Sequence, residues 1–407
     1  MVALKTATRS RFLIGALQYP GYRKYWASGF AAILGENVRL IAHFWLAWEL
    51  TKSNFFLGLL GLAAGVPSLL TTLISGQVAD RVDRRNLLLC VQFLNALVML
   101  ALGILIFTDA VNRWHVLLFA STIGVIQTFY VAARSSIMPG LVEPEDLSSA
   151  VAFDISTFQG SRVVAPPIAA GLIYIGVENA FYFIALANIV GCLILLPLKV
   201  ERIVLSAENR GLQAFSAGFT YIRQNSLFGT FTVLSVSLGF FGLGFAALLP
   251  SFADDVHDTG AAGFAVLSLS FGVGSLAGSL IMALVRQTSR KGYLIFGGIV
   301  VFASFEIIFA LSGWFPLSAL LLLIMGLAYS IFIIFSTSEI QMHVPDELRG
   351  RVMSIWSLTW LVIPLGGFVA GSIAAGLGPQ GAIAVTGGVL LAVAVVMGVL
   401  SPQARDL

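Results

Sequence analysis

Three ionisable residues stand close together inside the first long apolar stretch of the chain, namely Glu36, Arg39 and His43. Their spacings of three and four residues place all three on one face of a helix. Because an ionisable side chain inside a membrane costs a few kcal/mol, each needs a charged partner or water. Glu36 can pair with Arg39, and a carboxylate whose partner changes between two states can bind and release a proton. Proton loading, a permanent pair that positions the helix, and contact with a bound molecule all stay open for Glu36.

The most specific pattern is a polar segment, G-x-x-x-D-R-x-x-R-R, at the end of the second apolar stretch. Its residues are Gly76, Asp80, Arg81, Arg84 and Arg85. A glycine lets a neighbouring helix approach closely, and an aspartate can face the positive N-terminal end of another helix. The arginines can pair with acids or hold anionic lipid headgroups. We predict a latch that forms in one conformation and breaks in another. Anchoring by positive charge alone would not require Gly76 and Asp80 at these places.

Three further charges, Arg134, Asp154 and Arg162, interrupt the fourth and fifth apolar stretches. Helix rise separates Asp154 from Arg162 by about 12 Å, so these two should not pair directly. Asp154 can meet Arg134 or the arginines of the polar segment. We predict that all three residues belong to a gate at this end of the helices.

These charges lie in a chain whose solvent is lipid. Of its 407 residues, 58% are hydrophobic and 11% are charged, and the mean hydropathy is +0.94. A soluble domain has roughly 25% charged residues, so polar groups are too few here to cover a water-facing surface. A membrane helix needs about 20 apolar residues. Twelve stretches of the chain fit: 25–49, 55–78, 87–108, 114–138, 148–174, 179–198, 227–252, 263–285, 293–312, 315–339, 352–376 and 380–400. The predicted fold is therefore all-α and polytopic.

Other classes of protein fit the sequence poorly. The net charge of +3 is too small to suggest nucleic-acid binding. Cys90 and Cys192 both lie in apolar stretches and read as packing residues, and the histidines lack metal-ligand spacing. The motifs H-E-x-x-H, G-x-S-x-G and G-x-x-x-x-G-K-[ST] do not occur. We therefore expect no enzyme, no ATP-driven pump, no cofactor and no metal site.

Basic residues are distributed unevenly between alternate loops. With the N-terminus inside, the outer loops hold only Lys52 and Arg113 of the 23 lysines and arginines. Loops rich in Lys and Arg stay in the cytoplasm. Both termini are therefore predicted to be cytoplasmic, in a protein of the cell (inner) membrane.

The chain is predicted to divide into two six-helix bundles, 1–198 and 227–407, joined by a linker, 199–226. Within the linker, Phe215, Phe219 and Ile222 fall on one helical face, so it is either an amphipathic helix on the inner surface or a plain tether. The bundles resemble each other in register: Gly76 corresponds to Gly278. Likewise, the segment 142–147 resembles 344–348. Parallel six-helix repeats indicate a transporter with its site between them.

With these patterns the chain resembles the major facilitator superfamily. The polar segment after the second stretch is specific for that superfamily. Further likeness lies in Tyr-Arg-Lys-Tyr-Trp at 22–26, Glu-Leu-Thr-Lys-Ser at 49–53 and the segment 348–354. Within the superfamily the chain looks most like the bacterial drug and siderophore exporters, a branch that includes the enterobactin exporter and the macrolide efflux proteins.

The resemblance implies two pseudo-symmetric bundles in which helices 1, 4, 7 and 10 line a central cavity. It places the face of Glu36, Arg39 and His43 in that cavity. The aromatic residues Phe240, Phe241, Tyr329 and Phe332 would then form a greasy lining that suits amphipathic compounds. For each of these rings, packing inside a bundle is the alternative.

As a function, the resemblance implies a monomeric secondary transporter in the lipid bilayer. It would export drug-like or siderophore-like small molecules by alternating access, with protons as the coupling ion. Antiporters of the superfamily often carry G-P-x-x-G-G in helix 5, but here Ala165 stands before Pro166. This departure weakens the antiporter interpretation. The alternatives are a uniporter or importer of a small metabolite, or lipid translocation on the same fold.

Overall fold

A computed structural model describes residues 15–198, 225–284, 291–344 and 359–405, together with Val352 and Trp356. The segment predicted as an amphipathic helix or tether therefore lies almost entirely outside the described residues. So do the second copy of the repeated segment after Val344 and the side chain of Asp80.

The first six long helices follow one another with short connections. They are α1 (Pro20–Thr51), α2 (Asn54–Arg81), α3 (Arg84–Phe107), α4 (Arg113–Ile137), α5 (Leu147–Ile175) and α6 (Val177–Leu195). Local chemistry sets several of their ends. The Asp83 side chain accepts from the Asn86 amide at the start of α3, and Asn112 accepts from the amides of Trp114 and His115 at the start of α4. Gly176, at φ 138°, separates α5 from α6.

The seventh helix, α7, is irregular. It runs as Ser226–Ser237, a π turn at Leu238–Gly242, a 3-10 segment at Leu243–Leu248, a short α turn at Leu249–Ser251 and a second π turn at Phe252–Val256. The helices α8 (Gly260–Leu284), α9 (Lys291–Leu311) and α10 (Phe315–His343) follow. A final helical run, Ile363–Leu400, is divided by non-helical Gly378 into α11 (363–377) and α12 (379–400).

Nine helices in the described part of the chain are long and apolar enough to span a membrane. Two more long helices, α1 and α5, fall outside that set, and both carry charges. Glu36 and Arg39 lie in α1, while Asp154 and Arg162 lie in α5. The run Ile363–Leu400 counts as one of the nine, although it contains the two helices α11 and α12. The described residues are thus consistent with the twelve predicted helices.

The chain forms two compact units. The first comprises Met1–Leu46 and Ala63–Ser206, and the second comprises Ala47–Leu62 and Ala207–Leu407. The hairpin Ala47–Leu62, which joins α1 to α2, therefore packs with the second unit although the rest of both helices belongs to the first. The division into bundles at 198 and 227 stays a prediction.

Small residues bring helices into backbone contact inside each unit. In the first unit, a Cβ on Gly124 of α4 would collide with the Ala64 carbonyl of α2. In the second unit, a Cβ on Gly326 of α10 would collide with the Phe271 carbonyl of α8. The same pair of helices in each half of the repeat thus approaches through glycine, as membrane helices commonly do.

Candidate functional site

The Glu36–Arg39 pair predicted from spacing is present on α1. Arg39 Nε lies 2.7 Å from Glu36 Oε2, and Arg39 Nη2 lies 2.6 Å from Oε1. The side chain of Arg39 is 8% exposed, and that of Glu36 is 20% exposed. A two-pronged pair of this kind is among the stronger charge-assisted contacts. The acid is the member that still reaches the surface of the molecule.

His43 lies on the same helix but its ring is enclosed by helices of the first unit. It is 1% exposed. His43 Nε2 lies 3.3 Å from the Val116 carbonyl of α4, and the ring meets Phe181 of α6 edge to face at 5.7 Å. In this conformation His43 packs inside the unit, and its contact with a transported compound stays a prediction.

Arg134 and Asp154 meet between α4 and α5, which is one of the two pairings considered for Asp154. Arg134 Nη2 lies 2.7 Å from Asp154 Oδ1. Tyr25 of α1 donates its hydroxyl at 3.2 Å to the Arg134 carbonyl and at 3.2 Å to Asp154 Oδ2. The guanidinium lies 4.4 Å from the centre of the Tyr25 ring. A nearly buried cation is therefore paired, stacked and tied to three helices of one unit.

This cluster is one step of a polar ladder along α1 and α5. Other rungs run from Tyr19, just before α1, to Asp146, just before α5, at 2.9 Å, from Tyr22 to the Ala150 carbonyl at 2.9 Å, and from Trp26 Nε1 to Thr157 Oγ1 at 2.8 Å. Sequence reasoning used Tyr22, Tyr25 and Trp26 only as a mark of resemblance. The signal for the ladder was helical spacing in both sets, since Tyr19, Tyr22 and Tyr25 are three residues apart and Asp146, Ala150 and Asp154 are four residues apart.

The arginines of the polar segment bind helix ends. Arg84 donates at 2.9 Å to the Ser136 carbonyl near the end of α4, and Arg85 donates to the Leu195 carbonyl at 3.4 Å and to the Leu196 carbonyl. The last carbonyls of a helix lack intrahelical partners and carry its negative dipole end. Together, these contacts tie the start of α3 to the ends of α4 and α6.

Among the described residues, none approaches Gly76 closely. A Cβ at Gly76 would meet no described atom within 4 Å, because this end of α2 is exposed. The matching Gly278 of α8 does pack closely, and a Cβ there would lie 2.9 Å from the Leu327 carbonyl of α10. Arg81 is exposed at the end of α2, and the part of Asp80 in the latch stays a prediction.

Arg162 lies farther along α5 and is not joined to Asp154 by any ion pair in the described residues. Its guanidinium lies 5.2 Å from the ring centre of Phe158. This placement agrees with the expected separation of Arg162 from Asp154. No contact among the described residues joins Arg162 to the Arg134–Asp154 pair. The role of Arg162 in the gate therefore stays a prediction.

The four aromatic candidates differ in exposure. Phe240 and Phe241 lie in the first π turn of α7, are half-buried, and meet edge to face at 4.9 Å. Tyr329 is 4% exposed beside Phe271, and Phe332 is fully buried, with its Cβ against Gly298 of α9. Phe332 lines no open surface in this conformation because α9 covers it. Phe240 and Phe241 are the better placed to meet a compound.

Two buried acids lie in the described part of the second unit. Glu339 of α10 is 1% exposed; its Oε1 lies 2.7 Å from Lys291 Nζ of α9, and its Oε2 lies 3.3 Å from His343 Nδ1. Glu306 of α9 is fully buried, and Thr386 of α12 donates to it at 3.4 Å. Glu306 faces α12 inside the unit, which agrees with a structural role.

Similar proteins extend along nearly the full length of the chain. The family model described as Transmembrane secretion effector matches residues 14–405. Macrolide efflux protein A from Streptococcus pyogenes is 25% identical over 386 residues, covering 91% of this chain and 93% of that protein. The multidrug efflux pump Tap from Mycolicibacterium fortuitum is 25% identical over 355 residues, covering 84% and 86%.

Among solved structures, a bacterial homologue of the human lysosomal transporter Spinster matches with a TM-score of 0.76. The match covers 95% of this chain and 97% of that one, at 14% sequence identity. A likeness at this identity concerns the fold alone.

Proposed function

Because this chain belongs to the Transmembrane secretion effector family of the major facilitator superfamily, we propose that it exports amphipathic small molecules by proton-coupled alternating access. It is a multi-pass membrane transporter and not an enzyme, and the expected resemblance to this superfamily is confirmed. Its relatives are named as efflux proteins for macrolides and multiple drugs. Their names support export, while the coupling ion and the compound are our proposals.

The Glu36–Arg39 pair carries the proposal for coupling. Glu36 is the partly exposed member, so a proton can reach it while Arg39 stays buried. Protonation would remove the charge that balances Arg39, and an unbalanced buried charge is strongly unfavourable. The protein can relieve that cost by changing the surroundings of Arg39, which couples proton binding to a conformational change.

The half-buried pair Phe240 and Phe241 supports an amphipathic substrate. Aromatic rings offer a large apolar surface with few directional demands. They lie in a π turn, where the helix ladder is irregular, and such turns are frequent at functional sites. We propose that these two rings contact the compound, with Tyr329 and Phe332 behind them as packing residues in this conformation.

The ion pair Arg134–Asp154 and the contacts of Arg84 and Arg85 support a gate at the ends of α4, α5 and α6. We propose that this end faces the cytoplasm, with both termini inside, in the cell (inner) membrane of a bacterium. The basic residues of the loops support this orientation. Reporter fusions at Leu407 that are active only outside the cytoplasm should stay inactive, and active fusions would overturn it.

The test for coupling uses Glu36→Gln in everted membrane vesicles with a macrolide and an amphipathic fluorescent dye. We expect proton-driven uptake to fall at least about tenfold, because a neutral amide cannot exchange the proton. Glu49→Gln on the exposed outer part of α1 is the matched control and should transport normally. Unchanged uptake by Glu36→Gln would refute the role of Glu36. Uptake by the unmodified protein that an uncoupler leaves intact would instead favour a uniporter.

A further inference from the structure

Glu306 of α9 lies inside the second unit with little around it to balance a negative charge. It is 0% exposed, on a helix long and apolar enough to span a membrane. Its Oε1 lies 3.4 Å from Thr386 Oγ1 of α12, and its Oε2 has no hydrogen-bond partner among the described residues. An ionised carboxylate in such a place needs a cation or several donors, and otherwise it takes up a proton.

Two consecutive residues of α12 accommodate this side chain. Thr386 is 2% exposed and supplies the polar contact, while a Cβ on Gly387 would lie 3.3 Å from Glu306 Cγ. Farther along the same two helices, a Cβ on Gly398 would lie 3.5 Å from the Phe296 ring. The contact of Glu306 therefore belongs to an extended antiparallel packing of α9 on α12, and the missing side chain at Gly387 leaves room for the carboxyl.

The elements packed on α9 offer Glu306 few titratable neighbours. They are α10, the run Ile363–Leu400, the first π turn of α7 and the terminal turn Pro402–Arg405. The run and the π turn contain no titratable residue at all. Tyr293 of α9 is exposed near the start of that helix, and Tyr329 of α10 lies beside Phe271 of α8. Neither phenol can supply a positive charge.

The cations of these described elements lie at the other end of α9. Lys291 begins the helix and lies 2.7 Å from Glu339 Oε1, and His343 lies 3.3 Å from Oε2 of the same acid. Arg405 belongs to the terminal turn, which packs on the start of α9. Glu306 is fifteen residues beyond Lys291, about 22 Å along the helix. The one lysine of α9 is therefore both distant and already paired.

The outer end of α9 supplies no cation either among the described residues. The second π turn of α7 stacks Phe252 on Phe309 of α9 at 4.4 Å, and the two aspartates of that turn can only add negative charge. His257 follows the turn, and its Nε2 lies 3.0 Å from Ser318 Oγ of α10. Burial lowers the pKa of His257, which favours the neutral ring. An ionised Glu306 would thus be unbalanced from both sides.

The hydrogen count at Thr386 leads to the same protonation state. Its Oγ1 lies 3.1 Å from the carbonyl oxygens of Ala382 and Ile383, closer than Glu306 Oε1. A hydroxyl has only one hydrogen to donate. Whenever Thr386 donates it to a carbonyl, the contact with Glu306 keeps a hydrogen only if the carboxyl carries one. A protonated Glu306 can donate to Thr386 Oγ1 while Thr386 donates within α12.

We propose that Glu306 is a carboxylic acid that keeps its proton and joins α9 to α12 through Thr386. The helix α9 then carries no charge at this depth, and its polar group is bonded to the neighbouring helix. Glu306 is a positioning residue of the second unit, distinct from Glu36, whose partner Arg39 is a cation. The proposal goes beyond the proposed function, because it holds whether or not the protein exports a given compound.

Infrared spectroscopy tests the proton directly, on protein in a detergent free of ester groups. We expect the carbonyl band of a protonated carboxylic acid to persist from about pH 7 to about pH 9, where exposed acids are ionised. Glu306→Gln and Glu306→Leu should both lose this band. Glu339→Gln should keep it, because Glu339 is as deeply buried but paired with Lys291. A missing band in the unmodified protein, or a band that both Glu306 variants retain, would overturn the proposal.

A double-mutant cycle tests the contact between the two helices. Thr386→Val keeps the shape but removes the acceptor, so we expect the thermal unfolding midpoint to fall by about 2 °C. In a Glu306→Leu background the fall should be less than half as large, whereas in Glu306→Gln, whose amide can also donate, it should be retained.

Thr359→Val is the matched control for this cycle. Thr359 is also buried, but its hydroxyl donates to the Trp356 carbonyl and contacts no acid among the described residues. Its effect on the midpoint should be the same with Glu306 and with Leu at that position. Equal falls for Thr386→Val in those two backgrounds would show that Glu306 does not depend on Thr386, and the proposed contact would be wrong.

Discussion

The two units each bury one charge at the end of a corresponding helix, but the charge has opposite sign. In the first unit the buried residue is a cation, Arg134 of α4, paired with Asp154 of α5. In the second unit it is an anion, Glu339 of α10, paired with Lys291 of α9. Both halves of the repeat thus have an ion pair at the same place. The buried residue of the pair differs in the sign of its charge, and it pairs with a different helix.

The start of α3 and the start of α9 show how the same place acquires different chemistry. Arg84 at the start of α3 donates to the Ser136 carbonyl of α4. Lys291 at the start of α9 instead pairs with the Glu339 side chain of α10. In both units a cation that begins one helix fastens the end of the next. Only in the second unit does the acceptor carry a full charge.

Breaking the pair in the first unit should have the largest effect. Asp154→Asn removes the charge that balances Arg134, which is 7% exposed and cannot turn to water without disturbing Tyr25. Loss of one partner of a buried pair costs about 3–5 kcal/mol. We expect a marked fall in the thermal unfolding midpoint in detergent. Asp109→Asn, an exposed loop change that tolerates the left-handed φ of 53° there, should leave the midpoint unchanged. If Asp154→Asn and Asp109→Asn had the same unfolding midpoint, the buried pair would not stabilise the first unit as argued.

Breaking the pair in the second unit should cost less. Glu339→Gln leaves Lys291, whose side chain is 25% exposed at the start of α9 and can extend its ammonium to water. The amide fills the same space and can still accept a hydrogen bond. We expect a loss of about 1–2 kcal/mol, measured as the same unfolding midpoint. A loss as large as that of Asp154→Asn would show that the sign of the buried charge makes no difference.

The helices themselves could be predicted from the sequence because lipid demands long apolar runs. The predicted ranges fall on helices throughout the described residues, yet α1 begins at Pro20 and not at 25. Polar residues at 22–26 ended the apolar run, but hydrogen bonds to α5 satisfy Tyr22 and Tyr25 inside the bundle. Apolarity alone cannot reveal a helix turn whose polar groups are paired by a distant segment.

The candidate site was predictable only where both partners stood on neighbouring turns or helices. The spacing of Glu36 and Arg39 fixed their pairing, and Asp154 had few cations within reach. Asp254 of α7, which accepts a hydrogen bond from Trp48 Nε1 at 2.8 Å and pairs with Lys52, was missed because an acid at the end of an apolar run is usually exposed to water. The feature of the sequence that pointed to this contact was Lys52, one of only two basic residues in the predicted outer loops. At Gly76 the sequence shows that close approach is possible but not which helix supplies the neighbour, so its packing stays a prediction.

The smallest effects should come from the third residue beside each ion pair, which is Tyr25 in the first unit and His343 in the second. Tyr25→Phe removes the hydroxyl that bonds the Arg134 carbonyl and Asp154 but keeps the ring beneath the guanidinium, so we expect a loss of about 1 kcal/mol. His343→Ala removes a side chain that is 49% exposed beside Glu339, and exposed pairs contribute about 0–1 kcal/mol.

Unfolding midpoints of both variants, each combined with the acid substitution of its own cluster, give two double-mutant cycles. Strong coupling is expected between Tyr25 and Asp154, and weak coupling between His343 and Glu339. The reverse order would mean that exposure does not decide which contacts hold these helix ends together.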